Sequence, residues 1–223
     1  MSEPHAAAYR DLRVRLTEIL QDADDAACEQ TAPATPDWRV CDVVAHLVGV
    51  TDDVANGRLD GVATDAWTAN QVDPRKDRTM AELLAEWEKT GPPFEEVMAG
   101  VPGEVSGQAL FDAFTHEQDI RHALGMPGAR ESDAAEIAWE WMNTARSGPN
   151  GPAIRVVTEY DDISSGSDGP GITLRASRFE LLRACTGRRT RDEIAAYDWD
   201  PEPNPDLLVM AEIFTIRTES LNE

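Results

Sequence analysis

Long apolar runs, paired cysteines and lysine are all scarce in this chain, and each scarcity narrows what it can be. No stretch of about 18 consecutive apolar residues occurs, so no membrane-spanning helix is expected. The opening Met1, Ser2, Glu3, Pro4 and His5 lack the basic segment and apolar core of a secretory signal, so a cytoplasmic location is expected. The three cysteines, Cys28, Cys41 and Cys185, are odd in number and form no CxxC pair. Reduced thiols are therefore expected, and neither a disulfide framework nor a thiolate zinc site. Also missing are a GxGxxG after a strand, a phosphate-binding P-loop, GxSxG and HExxH. Hydride transfer, ATP chemistry and serine hydrolysis thus have no support in the sequence.

Positive charge is the next deficit. Lys and Arg number 20 against 42 Asp and Glu, a formal net charge of -22 over 223 residues. That sign argues against nucleic acid and anionic membranes as partners and favours solubility. The acid is spread along the chain and reads as a solvated surface. Only Lys76 and Lys89 are lysine; the remaining cations are arginine.

What is present is helical periodicity over the first two thirds. Between about Pro4 and Cys28, Leu12, Leu16, Ile19 and Leu20 make one apolar stripe. A second helix starts near Asp37 or Trp38, with Val40, Val43, Val44, Leu47 and Val48 inward, and fades at Asn56 and Gly57. Residues 57–78 read as a long loop, a length that is often functional. Thr79 and Glu82 form a capping box for a third helix to Gly100. A fourth is expected over 107–124 and a fifth, capped by Ser132, to about Ala145.

Ser147 to Pro152 is the clearest boundary, because the pattern beyond it turns β-branched and alternating at 154–160 and 171–176. A turn-rich connection at 164–171 joins these strands, and helices are expected at 177–185, 190–197 and 206–215. The expected fold is mainly α: a helical bundle over 1–147, then a small α+β domain over 152–223.

Chemistry concentrates in the fourth helix. Asp112 and His116 are one turn apart and project roughly 40° from each other on one face. His46, set among apolar residues of the second helix, is available as a third ligand. Two imidazoles and a carboxylate on neighbouring bundle helices suit zinc or another divalent first-row metal and leave a coordination position open. The plainer alternative is a core histidine and a chance Asp-xxx-His pair. His122 lies roughly 240° round the helix from His116 and should face elsewhere, and His5 should be exposed. Glu117, Asp119 and Arg121 flank the site; Asp119 and Arg121 either orient ligands or hold the turn into Gly125. Arg183, Arg188, Arg189 and Arg191 form a basic cluster, and Arg75, Lys76 and Arg78 lie in the long loop. Both groups are solvated faces or caps by default, and contacts to an anionic small molecule otherwise. Most tryptophans are expected in the core or at the domain seam, with Trp67 in the long loop free to wall a pocket.

The segments 38–47 (WRVCDVVAHL) and 112–125 (DAFTHEQDIRHALG) together resemble the mycothiol-dependent maleylpyruvate isomerase family. The later 174–177 (LRAS) and 179–189 (FELLRACTGRR) are similar to the family's C-terminal region. The resemblance implies a DinB-like four-helix metal-binding bundle followed by a small C-terminal domain. It implies His46, Asp112 and His116 as metal ligands, with zinc as the expected ion and mycothiol as thiol cosubstrate. It further implies that the thiol sulfur takes the open metal position and adds, as thiolate, to an electrophilic small molecule. Cis–trans isomerisation of a maleylpyruvate-like compound and S-transfer are both compatible with it. Arg188, and secondly Arg78, are then candidates to neutralise a carboxylate of substrate or cofactor. Arg39 stands where relatives carry a small capping residue, and Asp112 where the isomerase has the longer Glu. Two other classes stay open: a non-catalytic DinB-like binding protein, and a metallohydrolase that needs no thiol.

Overall fold

The computed structural model describes residues 2–146, 153–166, 171–210 and 213–223. The chain divides into two compact units, Met1–Ile137 and Ala138–Glu223. The division falls inside a helix; the expected boundary segment 147–152 lies outside the described residues.

The first unit is helical: α1 (Glu3–Leu20), α2 (Asp25–Glu29), α3 (Val40–Ala55), α4 (Asp65–Val72), α5 (Met80–Gly100) and α6 (Gly103–Ala123), with α7 (Asp133–Arg146) starting in it. In α1, Leu12, Leu16 and Leu20 of the expected stripe are buried and Ile19 is half-buried, while Tyr9 is buried as well. The helix stops at Leu20, eight residues short of expectation. The Asp24 carboxylate accepts from Ala27 N at 2.8 Å and starts the separate α2. A short acidic side chain that can bond the backbone nearby favours such a cap over helix continuation.

The bundle consists of α1, α3, α5 and α6. Helix α3 packs on α5 and α6, and α1 packs on the same two. Val43, Val44, Leu83, Trp87 and Phe114 lie in its core. The capping box of α5 forms as expected: Thr79 N donates to Glu82 Oε2 at 2.9 Å, and Glu82 N donates to Thr79 Oγ1 at 3.3 Å. Helix α6 begins four residues before the expected start, at Gly103. His5 is half-buried rather than exposed, with Nδ1 2.8 Å from Ser106 Oγ.

Two expectations are overturned here. Residues 57–78 are not a plain loop, for they hold α4 and a 3-10 turn at Asp73–Arg75. Periodicity missed α4 because its one buried residue is polar, Gln71. Second, Cys28 and Cys41 form a disulfide, with Cα atoms 4.9 Å apart, tying α2 to the first turn of α3. A β-bridge between Thr31 and Arg39 folds the intervening chain back and brings the two cysteines together. Only Cys185 is a free thiol; it is buried, and burial pushes its pKa up.

The second unit carries a four-stranded sheet of β1 (Ile154–Val157), β2 (Asp162–Ser164), β3 (Ile172–Arg175) and β4 (Asp198–Asp200), in the order β2-β1-β3-β4. The central pair is parallel, with Val156 opposite Leu174, and both edge pairs are antiparallel. Ile154, Val156 and Leu174 bury the inner positions. The edge strands carry no readable pattern because they are three residues long, Asp-Ile-Ser and Asp-Trp-Asp, each with one apolar residue between polar neighbours. Helices α8 (Arg178–Cys185) and α9 (Arg191–Ala195) form within the expected spans 177–185 and 190–197, capped by Ser177 and Thr190. The helix expected over 206–215 is absent from the described part of that segment, where only a 3-10 turn at Pro205–Leu207 forms. Met210 N bonds to Cys185 O at 3.1 Å, so the backbone there is tied to the end of α8. Part of the expected 164–171 connection, residues 167–170, lies outside the described residues.

Candidate metal centre

Helix α3 is anchored just before the centre. The Asp42 carboxylate accepts from Arg39 N at 2.9 Å and from its guanidinium, Nε to Oδ2 at 2.9 Å and Nη2 to Oδ1 at 2.8 Å. Arg39 thus fills the capping position without a side-chain acceptor of its own, and Asp42 at the third helical position reaches back to its backbone N–H, one half of a capping box. Burial alone would raise the Asp42 pKa, but these bonds from Arg39 outweigh it and hold the carboxyl below its usual range.

One turn further along α3, His46 is 4 % exposed and turns its Nε2 to Asp112 Oδ2 at 3.4 Å. On α6, His116 Nε2 lies 3.7 Å from Asp112 Oδ1. The two imidazole rings meet edge to face, with centroids 5.0 Å apart. One ligand atom from each of His46, Asp112 and His116 falls within 4.8 Å of the others. The three residues chosen from spacing are therefore brought together. Asp112 is the most open, with its side chain 38 % exposed, so the cluster is reached from the carboxylate side.

The far nitrogens of both imidazoles are occupied. His46 Nδ1 is 2.8 Å from Gln71 Oε1, and His116 Nδ1 is 3.2 Å from Asp119 Oδ2. Gln71 and Asp119 are fully buried. An acceptor at Nδ1 holds that nitrogen as the donor and leaves the Nε2 lone pair facing the cluster, which is the form a metal requires. The donor set and tautomers therefore fit a divalent cation. Burial disfavours a charged His46, but the Asp112 charge and the bonds to Asp112 and Gln71 outweigh it and raise its pKa above the ordinary value. Trp38 lies over both rings, with centroids 5.5 Å from His46 and 6.0 Å from His116. It is not simply a core residue, as most tryptophans were expected to be.

The other sequence candidates fall elsewhere. Of the flanking residues, Asp119 orients His116, whereas Arg121 donates to Glu117 Oε1 at 3.0 Å and to Met126 O at 3.3 Å and holds the turn. Arg78 pairs with Glu86 and lines a surface pocket that includes Cys28, Arg39 and Lys76. Arg75 is buried against Glu86 and Asp52. In the second unit, Arg188 is buried, donates to Thr186 O at 2.6 Å and sits 5.6 Å from the Phe214 ring centroid. Arg183 and Arg189 both pair with Glu223, and Arg191 pairs with Asp206. This cluster is knit into its own unit by carboxylates and is not a bare basic patch. Trp67 is half-buried, its indole donating to Arg58 O at 3.1 Å.

Sequence reading missed Gln71 and underrated Trp38. Gln71 carried no periodic signal, and the only cue for its helix is Thr64, whose hydroxyl accepts from Trp67 N at 3.3 Å.

Solved structures with the same fold are mycothiol-dependent maleylpyruvate isomerase and a histidine-to-alanine mutant of it. They superpose with TM-scores of 0.53 and 0.57 at 12% identity, covering 90% of this chain and 95% of theirs. No curated protein matches the chain. The model of the mycothiol maleylpyruvate isomerase N-terminal domain matches residues 9–127, more than half of the sequence and the whole of the cluster. The chain belongs to the mycothiol maleylpyruvate isomerase N-terminal domain family.

Proposed function

We propose that this protein is a divalent-metal enzyme that uses mycothiol to attack an electrophilic small molecule. The observation that carries the reading is the convergence of His46 Nε2, His116 Nε2 and the Asp112 carboxylate within 4.8 Å. Family membership and the isomerase fold support the thiol and the reaction class. His46, Asp112 and His116 hold the metal, with zinc the first choice. When bound, such an ion supplies an open coordination position and lowers the pKa of a thiol brought there.

The protein's own residues do the rest. Gln71 and Asp119 orient the two imidazoles, the Asp112 carboxylate offsets cationic charge, and Trp38 shields one side from water. The thiolate adds to an activated double bond, so a carbon–sulfur bond forms and the former double bond can rotate. The electron pair of the broken π bond moves into the adjoining activating group; expulsion of the thiolate returns it and re-forms the double bond as the trans isomer, whereas in S-transfer that carbon takes a proton and the adduct is the product.

The test is metal content together with turnover. Wild type is expected to hold about one divalent ion per chain and His116→Ala close to none. Turnover of an electrophilic substrate should need added thiol and be lost in His116→Ala. Turnover without thiol would instead indicate a hydrolase, and metal binding without any turnover would indicate a binding protein.

A further inference from the structure

We infer that Gln71 is a positioning residue for this centre, held by Asp53 so that it fixes which nitrogen of His46 faces the metal; the inference rests on the metal-centre reading above. Asp53 is the first member of the chain of bonds. Its Oδ2 accepts from Gln71 Nε2 at 3.1 Å, and a carboxylate at neutral pH can only accept. The Gln71 amide is thereby oriented with Nε2 toward Asp53 and Oε1 toward His46. Oε1 lies 2.8 Å from His46 Nδ1 and can only accept, so Nδ1 must carry the proton. His46 Nε2 is then the bare nitrogen, and it is the one that faces Asp112.

The surroundings hold this relay in place. Gln71 is fully buried, and its backbone carbonyl accepts from Arg75 Nη1 at 2.9 Å. Arg75 is in turn anchored by Glu86 and Asp52. Gly49, three residues after His46 on α3, allows the approach. A Cβ at Gly49 would stand 2.4 Å from Gln71 Cβ and 2.9 Å from its backbone Cα, so any larger residue would push α4 away. The two histidines are thus served differently: a neutral amide stands behind His46 and a carboxylate behind His116. The carboxylate brings a negative charge beside its imidazole, whereas the amide sets orientation without adding charge.

The experiment pairs a metal-free readout with a metal-bound one. In nitrogen-15 spectra of the metal-free protein at about pH 9, above the usual imidazole range, His46 is one of only four histidines to assign. Wild type is expected to show the Nδ1–H tautomer. Gln71→Leu should lose that preference, and Gly49→Ala should weaken it. In chelator competition, Gln71→Leu is expected to bind zinc about 10- to 100-fold more weakly. Gln71→Glu, which keeps the acceptor for His46 but loses the donor to Asp53, should recover only part of the affinity. An Nε2–H tautomer in wild type would overturn the inference, as would a Gln71→Leu protein that is folded and unchanged in tautomer and affinity. If wild type binds no metal, the metal-centre reading fails while the tautomer spectra still decide the role of Gln71.

Discussion

At the scale of single residues, the side chains around the centre separate into those that face it and those that hold the helix carrying it. Glu117 follows His116 in sequence, yet it is fully buried on another side of α6. It accepts from Arg15 Nε at 2.7 Å, Arg15 Nη2 at 2.6 Å and Arg121 Nε at 3.0 Å. Removing it would strand two guanidiniums in a largely buried position, the costly way to break an internal ion pair. Glu117→Ala is therefore expected to lower unfolding stability by about 3–5 kcal/mol, and urea denaturation followed by circular dichroism measures it. A loss under about 1 kcal/mol would mean that these charges are solvated and worth no more than a surface pair. The three ligand candidates were legible at this scale because an i, i+4 pair is a local property of the helix, and His46 was an odd polar residue in an apolar run. Gln71 and Trp38 were not legible, since their roles depend on a neighbouring helix passing close by.

At the scale of elements, the caps were the most readable signals, and short pieces were the least. Thr79, Ser177 and Thr190 each start the helix expected of them, because a hydroxyl accepting a backbone N–H is a local bond. Helix α2, helix α4 and the edge strands β2 and β4 are too short for periodicity and gain their stability from neighbours. The Cys28–Cys41 disulfide belongs to this scale, joining α2 to α3 across a separation of 13 residues. Closing a loop of that size removes unfolded-state entropy worth about 3 kcal/mol. Dithiothreitol, or replacement of both cysteines by serine, should lower the urea midpoint accordingly. Alkylation of the untreated, denatured protein should label Cys185 alone. Labelling of all three cysteines would show that the pair is reduced in the isolated protein.

At the scale of the whole molecule, each unit has its own way of holding charge. In the second unit Asp161 joins elements distant in sequence. Its carboxylate accepts from Trp139 Nε1 at 2.8 Å, Arg178 Nε at 2.8 Å and Thr158 Oγ1 at 3.1 Å. The Arg178 bond is the largest influence and holds the carboxyl below its usual range. A carboxylate with a depressed folded-state pKa stabilises above its unfolded value, and that stability is lost as pH falls through the folded value. Acid unfolding of this unit should therefore steepen below about pH 4. Asp161→Asn should remove part of that pH dependence while lowering stability at pH 7, as read by near-ultraviolet circular dichroism at each pH. An unchanged acid profile would mean that other carboxylates govern it. Among the described residues no helix is long and apolar enough to cross a membrane, in line with the absence of apolar runs. By itself the sequence determined the helical first unit, most of its helix starts, the β-branched strands at the centre of the sheet and the three candidate ligands, all set by spacing or by bonds within a few residues. Only the tertiary structure decided the cysteine pairing, the placing of Gln71 behind His46, the edge strands and the pairing of each arginine. Each of these joins segments far apart in the chain, and the energy that selects such contacts exists only once the chain has folded back on itself.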